Sequence, residues 1–429
     1  MDCFQTNDID ELTGLKSLTY FQNNARKWIR NRLLNGNRVT VFYVNICGFR
    51  SYNRMYGFQA GNALLRRLAN VLKIEFDGAL LARNMADHFI GAVTNEDVQE
   101  RFEKIHENMH LLQHNTTLEL ITGLYEVKDA SETDNPDSVS VFLDNAFAAM
   151  KFIYDKPGVN TYWFDERLKS EAELKNYVIE HVDEAVEKGW IKTYYQPCVN
   201  ICTGKLLQYE ALARWDDPAY GLLAPDKFIP YLENAYEVYK IDFAVLENAC
   251  RDIQEIMKKK LDPVPISFNL SRTDFEAADV IDQIVEISDK YHVPRYLLHA
   301  EITESAMNGD TEIMKKAIKR LHEIGCEVWM DDFGSGYSSL NTLKDYPFDV
   351  IKMDMVFLRN FDKKSEDIIS SMTQMNKKLG FKTLVEGVET KEQMKALKDI
   401  GCDIAQGYLF SKPLPLCHGD GSIDNICSL

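Results

Sequence analysis

The sequence predicts an α/β protein of two domains, an α/β sandwich followed by a TIM-like (β/α) barrel. Strand-like and helical segments alternate in the first part of the chain, which is typical of helices packed over a sheet. Eight apolar, β-branched runs separated by amphipathic segments follow, as in a barrel of strands and helices. The chain has 429 residues, 45% of them apolar, which is enough for two full cores. We therefore place the domains at residues 1–165 and 191–429, joined at 166–190.

The composition of the chain limits which partners and which cellular location we expect. The formal net charge is -17, and an acidic surface disfavours nucleic acid and anionic membranes as partners. An anionic substrate would need cations at its site. There is no uninterrupted apolar run of about 18 residues that would predict a membrane span, and no N-terminal signal pattern. The nine cysteines lack paired zinc spacings, which favours reduced thiols and a cytoplasmic location.

The first domain alternates regularly between helix and strand. A helix is predicted to end near residue 34, followed by a strand at 39–46 and a helix at 57–72 with leucines on one face. Two strands around a turn are expected within 80–93, then a polar helix, a strand at 118–127, a helix at 139–152 and a strand at 161–164. The segment 166–190 is charged, glycine-poor and helically periodic, which predicts a rigid connector through which one domain could report to the other. A plain spacer is the alternative.

The second domain contains eight β-like runs with helical crossovers between them, which predicts the barrel. A long parallel sheet with helices on both faces is the alternative at this level. The runs span residues 192–199, 206–215, 265–270, 297–303, 327–333, 349–354, 382–387 and 404–410.

Polar residues recur near the C-terminal ends of these runs, where barrel active sites form. Acidic capping of helix N-termini is the alternative, but seven consecutive runs, the second to the eighth, share the feature. Adjacent aspartates such as Asp331 and Asp332 face opposite sides of a regular strand, so they can serve one site only where the pleat breaks. The turn at Gly334 and Gly336 supplies that break. The full set is Glu210, Asn269, Glu301, Glu304, Asp331, Asp332, Lys352, Asp354, Glu386, Glu389 and Gln406.

Most of these residues offer the hard oxygen ligands that favour Mg²⁺ or Mn²⁺ over zinc. They form two ligand sets that share one aspartate: Glu210, Asn269, Glu301 and Asp331, and then Asp331, Asp332 and Glu386. Two cations about 3.5–4 Å apart lower the pKa of a bridging water and hold phosphate oxygens for in-line displacement. Lys352 would orient the water or offset charge on the phosphorus.

The same residues lie in motifs that resemble the EAL phosphodiesterases, in order, over roughly residues 176–415. The motifs are Tyr195-Gln-Pro, Glu210-Ala-Leu with Arg214-Trp215, Asn269-Leu-Ser, Glu301-Ile-Thr-Glu-Ser, Asp331-Asp-Phe-Gly-Ser-Gly-Tyr-Ser-Ser-Leu, Lys352-Met-Asp354, Glu386-Gly-Val-Glu389 and Gln406-Gly-Tyr. The resemblance implies metal-dependent hydrolysis of cyclic di-GMP to linear pGpG, and a homodimer through the barrel. A cyclic di-GMP-binding effector without hydrolysis is the alternative, and the complete carboxylate set favours the enzyme.

The resemblance also implies roles for individual residues. Besides Lys352, it gives catalytic roles to Glu304, which would anchor the loop after Asp332, and to Glu389, which would lie near Lys352. The residues that it places against the substrate are Glu210, Leu212, Arg214 and Gln406.

The first domain resembles the GGDEF domains, which make cyclic di-GMP from two GTP. The resemblance rests on the Leu-Thr-Gly-Leu at 12–15, the turn at 83–89, Phe49, Asn53, Gly57 and Gly61. The signature Gly-Gly-Asp-Glu-Phe reads Met85, Ala86, Asp87, His88 and Phe89 here, and Asn45 replaces the metal aspartate. Side chains at both glycine positions obstruct a triphosphate, and an amide is a poorer magnesium ligand than a carboxylate. We expect an inactive cyclase with a regulatory role, in which binding of GTP or another nucleotide stays open.

Overall fold

The structure is a computed structural model that describes residues 8–94, 97–110, 118–154, 156, 158–277, 280–308, 311–334 and 340–416. The chain divides into two compact units, Met1–Leu174 and Lys175–Leu429. The division falls within one 22-residue helix, Glu166–Glu187. This helix occupies most of the segment for which the sequence predicts a helical connector.

The first unit is a six-stranded sheet with helices, as the alternating sequence predicts. Its strands are β1 Lys16–Ser17, β2 Val39–Cys47, β3 Leu80–Arg83, β4 His88–Val93, β5 Glu119–Val127 and β6 Thr161–Trp163. Its helices are α1 Leu18–Leu34, α2 Phe49–Tyr56, α3 Phe58–Glu75, α4 Val98–His110 and α5 Ser138–Phe152, and α6 Glu166–Glu187 follows. The strand order is β1-β3-β4-β2-β5-β6, with β2 antiparallel to both of its neighbours.

The side chains of β2 are divided between two apolar cores because successive strand residues face opposite ways. Phe42 packs in the core formed with α3 and α4, whereas Tyr43 packs in the core formed with α1 and α5. Helix α2 is absent from the sequence prediction. Only Phe49 of this helix is buried, so the segment carries no periodic apolar signal.

Eight strands of the second unit close into a barrel, as predicted. They are β7 Ile191–Asn200, β8 Leu206–Asp217, β10 Ile266–Leu270, β11 Leu298–Thr303, β12 Glu327–Phe333, β13 Val350–Met353, β14 Lys382–Val385 and β15 Ile404–Gln406. The short strands β9 Gly221–Leu223 and β16 Leu414–Pro415 pair with β8 and β7. Pairing of β7 with both β8 and β15 closes the ring, and all other neighbouring barrel strands run parallel.

The first barrel strand departs from the predicted pattern of helical crossovers. Strand β7 is antiparallel to β8 and to β15, and only residues 201–205 separate β7 from β8. A parallel pair needs a crossover of a dozen or more residues, whereas a short turn suffices for an antiparallel hairpin. The side chains of β7 therefore enter the barrel interior in reversed order along the barrel axis.

The helices of the second unit follow individual strands. They are α7 Ile229–Asn234, α8 Tyr239–Lys258, α9 Asp274–Ala277, α10 Val280–Lys290, α11 Thr311–Glu323, α12 Leu340–Asp345, α13 Val356–Arg359, α14 Lys363–Leu379 and α15 Lys391–Ile400. Among the described residues, every helix is too short or too polar to be a membrane-span candidate.

Candidate active site

An acidic layer of side chains lies inside the barrel, toward the C-terminal ends of its parallel strands. Two groups of carboxylates there have ligand atoms within 4.8 Å of one another. The first group is Glu210, Glu301 and Asp331, and the second is Asp331, Asp332 and Glu386. They correspond to the carboxylates of the two ligand sets expected from the sequence, including the shared aspartate. The amide of Asn269 belongs to the strand beside Glu301, with which it is paired in register.

The adjacent aspartates reach the same site because β12 is irregular at that point. The pairing of β12 with β13 shifts register between Met330 and Phe333, and Asp332 has a left-handed backbone with φ of 58°. Such a bulge re-aims side chains that a regular pleat would separate. The break in the pleat therefore begins within the strand itself, two residues before Gly334.

Lys352 lies at the centre of the acidic layer and is completely buried. Its ammonium nitrogen contacts one oxygen from each of four carboxylates. The distances are 3.4 Å to Glu210 Oε1, 2.5 Å to Glu301 Oε2, 2.9 Å to Asp331 Oδ1 and 2.9 Å to Glu386 Oε1. A single lysine on the interior face of β13 thus holds together side chains from four other segments of the barrel.

The layer holds more negative charge than Lys352 can neutralise. Burial raises the pKa of Glu386 to about 8. The attraction of Lys352 opposes this shift, and repulsion from Asp331 adds to it. Burial, and then Asp331, raise the pKa of Asp332 to about 6. Burial alone would lower the pKa of Lys352, but the carboxylates around it raise that pKa well above its ordinary value. Lys352 therefore stays charged while the carboxylates compete for too little positive charge.

The donor set fits divalent cations. Five carboxylates and one ammonium group leave a formal charge of -4, which two divalent cations would balance. Within the described part of the chain, Glu301 Oε1 is buried and accepts no hydrogen bond. A buried acceptor without a partner is costly, and a cation would satisfy it. Oxygen-only ligands of this kind suit Mg²⁺ or Mn²⁺.

A cavity of about 400 Å³ opens onto the acidic layer. Five residues predicted from the sequence line it: Glu210, Leu212, Glu386, Glu389 and Gln406. Gln196, Arg359 and Tyr408 are among the lining residues that were not predicted as site residues from the sequence. Gln196 and Tyr408 stand inside the quoted Tyr195-Gln-Pro and Gln406-Gly-Tyr motifs, which was an available signal. Arg359 ends the short helix α13, and no motif marked it.

The remaining predicted site residues differ in how far their side chains are buried. The Arg214 guanidinium lies 5.4 Å from the centre of the Tyr194 ring, and burial lowers its pKa. Glu304 is buried, and the loop residues 335–339 that it was expected to anchor lie outside the described residues. Glu389 is exposed. Among the described residues, the carboxylates that pair with Lys352 are the four above and do not include Glu389.

A second buried acidic contact lies just beyond the strand that carries Asn269. The carboxyl groups of Asp242 in α8 and Asp274 in α9 are hydrogen-bonded to each other, which requires a proton between them. The Ser271 backbone N–H donates to Asp274 Oδ2 at 2.7 Å, and Ser271 Oγ donates to Asp242 Oδ2 at 3.2 Å. Burial raises the pKa of Asp274 to about 6. This pair ties the end of β10 to helix α8.

We expect Asp274→Asn to protect the protein from destabilisation at higher pH. Because the pKa of Asp274 is raised in the folded state, its protonated carboxyl group stabilises the fold. This stabilisation is complete below the ordinary pKa of 3.8 and is lost as the pH rises through about 6. Asparagine keeps a side-chain oxygen that accepts from the protonated Asp242, and it does not titrate. Thermal unfolding followed by circular dichroism from pH 4.5 to 8 should show the Tm difference moving in favour of the variant. A difference that stays constant over this range would contradict titration of Asp274 near pH 6.

The fold is a (β/α) barrel, and the site at its mouth gathers carboxylates that could hold cations. The EAL domain family model matches residues 179–413, and the model described as "Diguanylate cyclase, GGDEF domain" matches residues 7–151. The chain belongs to the EAL domain family, and its EAL domain is preceded by a GGDEF domain.

Individual relatives agree with this assignment. The cyclic di-GMP phosphodiesterase NbdA of Pseudomonas aeruginosa is 29% identical over 418 residues, which is 95% of this chain and 53% of NbdA. The solved structure of the PaMucR phosphodiesterase in complex with c-di-GMP is 30% identical, with a TM-score of 0.53, and covers 56% of this chain and 98% of its own. The GGDEF–EAL structure of Vibrio cholerae LapD covers 94% of this chain and 95% of its own, with a TM-score of 0.59. At 19% identity it supports the fold alone. The chain spans about half the length of curated relatives such as NbdA.

Proposed function

We propose that this protein hydrolyses cyclic di-GMP to linear pGpG in a reaction that depends on divalent metal ions. The observation that carries the proposal is the convergence of Glu210, Glu301, Asp331 and Glu386 on Lys352 inside an EAL-family barrel. The substrate is supported by relatives, since NbdA is named a cyclic di-GMP phosphodiesterase and the PaMucR structure is a c-di-GMP complex.

The proposed cofactor is a pair of Mg²⁺ or Mn²⁺ ions held by the two carboxylate groups, with Asn269 contributing its amide oxygen. When bound, the ions supply a water of lowered pKa and neutralise charge on the phosphodiester. Hydrolysis joins the water oxygen to phosphorus and breaks one bond from phosphorus to a 3′ oxygen, which takes up a proton. The ring is thereby opened without any change in oxidation state.

The chain's own residues bind and orient the reacting groups. Lys352 Nζ lies among the carboxylates proposed to hold the cations, so it would face the attacking water or offset charge on the phosphate. Gln406 and Arg359 line the cavity. The Arg359 guanidinium offers donors to phosphate or guanine oxygens, whereas the two amide protons of Gln406 are donated to Glu210 and Gln196, so we place Gln406 against the substrate as a wall of the cavity. Arg359 also supplies positive charge that an anionic substrate needs in an acidic protein. Leu212 provides an apolar wall, and we place Arg214 and Tyr408 at the rim for contact with the nucleotide.

The direct test is a chromatographic turnover assay on cyclic di-GMP with Mg²⁺, with Mn²⁺ and with a chelator. We expect pGpG to form with either metal and not in the chelator. Binding of cyclic di-GMP without turnover under all metal conditions would replace the enzyme with a non-catalytic effector. Adding GTP to the same assay measures whether the first domain regulates the barrel.

We also propose that the GGDEF domain at residues 1–165 is inactive and regulatory, and that residues 166–190 connect it to the barrel at 191–429. Asn45 Oδ1 is buried and unpartnered within the described residues, where a metal-binding domain would need a carboxylate. Ala86 has a left-handed φ of 47° and keeps its Cβ in the signature turn, and Arg83 braces that turn by donating to the Ala86 carbonyl at 2.6 Å. A homodimer through the barrel stays a prediction. Analytical ultracentrifugation of the purified protein would measure its oligomeric state.

We expect the purified protein to form no cyclic di-GMP from GTP. The carboxylate groups suited to a metal among the described residues both lie in the barrel, and His88 occupies a position where the signature has an acidic residue. The assay is incubation with GTP and Mn²⁺ or Mg²⁺, with an active cyclase as positive control. Asp331→Asn protein should be included, so that any product formed is not removed by the barrel. Product from that variant would overturn the inactive assignment.

A further inference from the structure

Beneath the acidic layer, the next layer of the barrel interior is half apolar and half polar. Trp329, Val350, Leu384 and Ile404 form one buried cluster together with Cys198. The polar half consists of four buried residues: Cys198, Gln208, Ser267 and His299. Burial of polar groups is unfavourable unless they are hydrogen-bonded. Their partners therefore indicate what this half of the layer holds in place.

Gln208 is the centre of the polar half. Its Oε1 lies 2.6 Å from His299 Nδ1, and its Nε2 donates to Ser267 Oγ at 3.2 Å. The same Nε2 lies 4.0 Å from Cys198 Sγ, at which it points as a donor. The lone pairs of the Cys198 sulfur therefore face Gln208, which leaves the thiol proton free to point toward the acidic layer.

Cys198 connects this layer to the proposed active site. In the antiparallel pairing of β7, Cys198 lies opposite Gln208 on one side and Gln406 on the other. Its thiol donates to Gln406 Oε1 at 3.5 Å. Burial, with added repulsion from Glu210 and Glu301, raises the pKa of this thiol well above its ordinary value. The sulfur therefore keeps its proton and remains a donor.

The orientation of the Gln406 amide matters because its nitrogen faces a proposed metal ligand. Gln406 Nε2 donates to Glu210 Oε2 at 2.5 Å and to Gln196 Oε1 at 3.2 Å. The two ends of an amide differ little in shape, so hydrogen-bond partners decide which end points where. A reversed amide would direct its carbonyl oxygen at the Glu210 carboxylate and leave two acceptors facing each other. Cys198 is the donor that satisfies Oε1 in the favourable orientation.

We propose that Cys198 is a positioning residue whose thiol holds the Gln406 amide with its nitrogen directed at Glu210. The inference rests on the proposed function, in which Glu210 binds a cation beside Gln406. Removing a contact that orients a metal ligand typically weakens metal affinity or activity by about 10–100-fold. Gln406 makes the direct contact with Glu210, whereas Cys198 acts one step further away and through sulfur, which is a weak donor. We therefore expect the lower end of that range.

The test compares Cys198→Val, which removes the donor at similar volume, with Cys198→Ser, which retains a donor. Cys326→Val is the matched control, because Cys326 is also buried in the second unit but donates to the Arg295 carbonyl instead. Calorimetric titration with Mn²⁺ measures cation affinity, and turnover of cyclic di-GMP gives kcat and KM. Thermal unfolding reports whether each variant is folded.

We expect Cys198→Val to bind Mn²⁺ about tenfold more weakly and to lose about tenfold in kcat, while Cys198→Ser and Cys326→Val stay within about threefold of wild type. Equal Mn²⁺ affinity in wild type and in folded Cys198→Val would overturn the inference. A loss in Cys198→Val that serine does not rescue would also overturn it, since the effect would then be one of packing. If wild type binds Mn²⁺ without turnover, the proposed function fails and the affinity comparison still decides the role of Cys198.

Discussion

Asp331→Asn is expected to abolish hydrolysis of cyclic di-GMP while leaving the fold intact. Asp331 belongs to both carboxylate groups, so one substitution weakens both proposed cation sites. Metal ions contribute several kcal/mol to stabilising the transition state, and a loss of about 4 kcal/mol corresponds to a rate reduction of about a thousandfold. The measurement is kcat for pGpG formation at saturating Mn²⁺.

Stability should respond in the opposite sense to activity. The acidic layer holds too many negative charges, so removing one carboxylate relieves repulsion even though it loses the 2.9 Å contact with Lys352. We therefore expect a Tm in chelator equal to or above that of wild type. Asp367→Asn, at an exposed carboxylate on α14, is the control and should retain full activity. Undiminished turnover by folded Asp331→Asn would remove the shared aspartate from the mechanism.

Lys352→Met is expected to produce the largest loss of stability, and divalent cations should reverse much of it. Methionine matches the lysine stem in volume but leaves four carboxylates facing one another in the interior. Removing one partner from a buried ion pair costs about 3–5 kcal/mol, which corresponds to a Tm decrease of about 10 °C for a unit of this size. Bound Mn²⁺ would replace the missing positive charge.

The measurement is thermal unfolding of Lys352→Met and wild type in chelator and in Mn²⁺. The gap in Tm between the two proteins should be wide in chelator and narrow in Mn²⁺, whereas turnover by the variant in Mn²⁺ should stay about a thousandfold below that of wild type. Lys382→Met at the start of β14 is the control, because its ammonium group is exposed and lies 4.0 Å from the nearest Glu327 oxygen. An equal gap with and without Mn²⁺ would contradict cation binding next to Lys352.

Much of the barrel and its site follows from sequence because the signals are local. Alternation of apolar runs predicts the strands, and the break after Asp331 explains how adjacent aspartates serve one site. The antiparallel direction of β7 is indicated by the short connection between β7 and β8. The pattern of eight runs alone says nothing about strand direction. A five-residue connection in fact excludes the helical crossover that was expected there.

Other features depend on which side chains meet across the barrel. Arg359 reaches the cavity from a four-residue helix, and no motif or periodicity distinguishes it from a surface arginine. Gln208 and Cys198 look like ordinary members of apolar strands until the register places them opposite each other. Pairing across strands is set by closure of the whole barrel, so it is invisible in a single run of residues. In the first unit, Ala86 has a left-handed backbone, which the replacement of the signature glycine by alanine would not have predicted.

The central claim is that carboxylates from separate strands form one site for two divalent cations. Its most direct test is the number of Mn²⁺ ions bound per chain, measured by equilibrium titration on wild type and on Asp331→Asn. We predict two ions for wild type, with at least one lost in the variant. Binding of no Mn²⁺ by wild type, or the same two ions in both proteins, would contradict the claim.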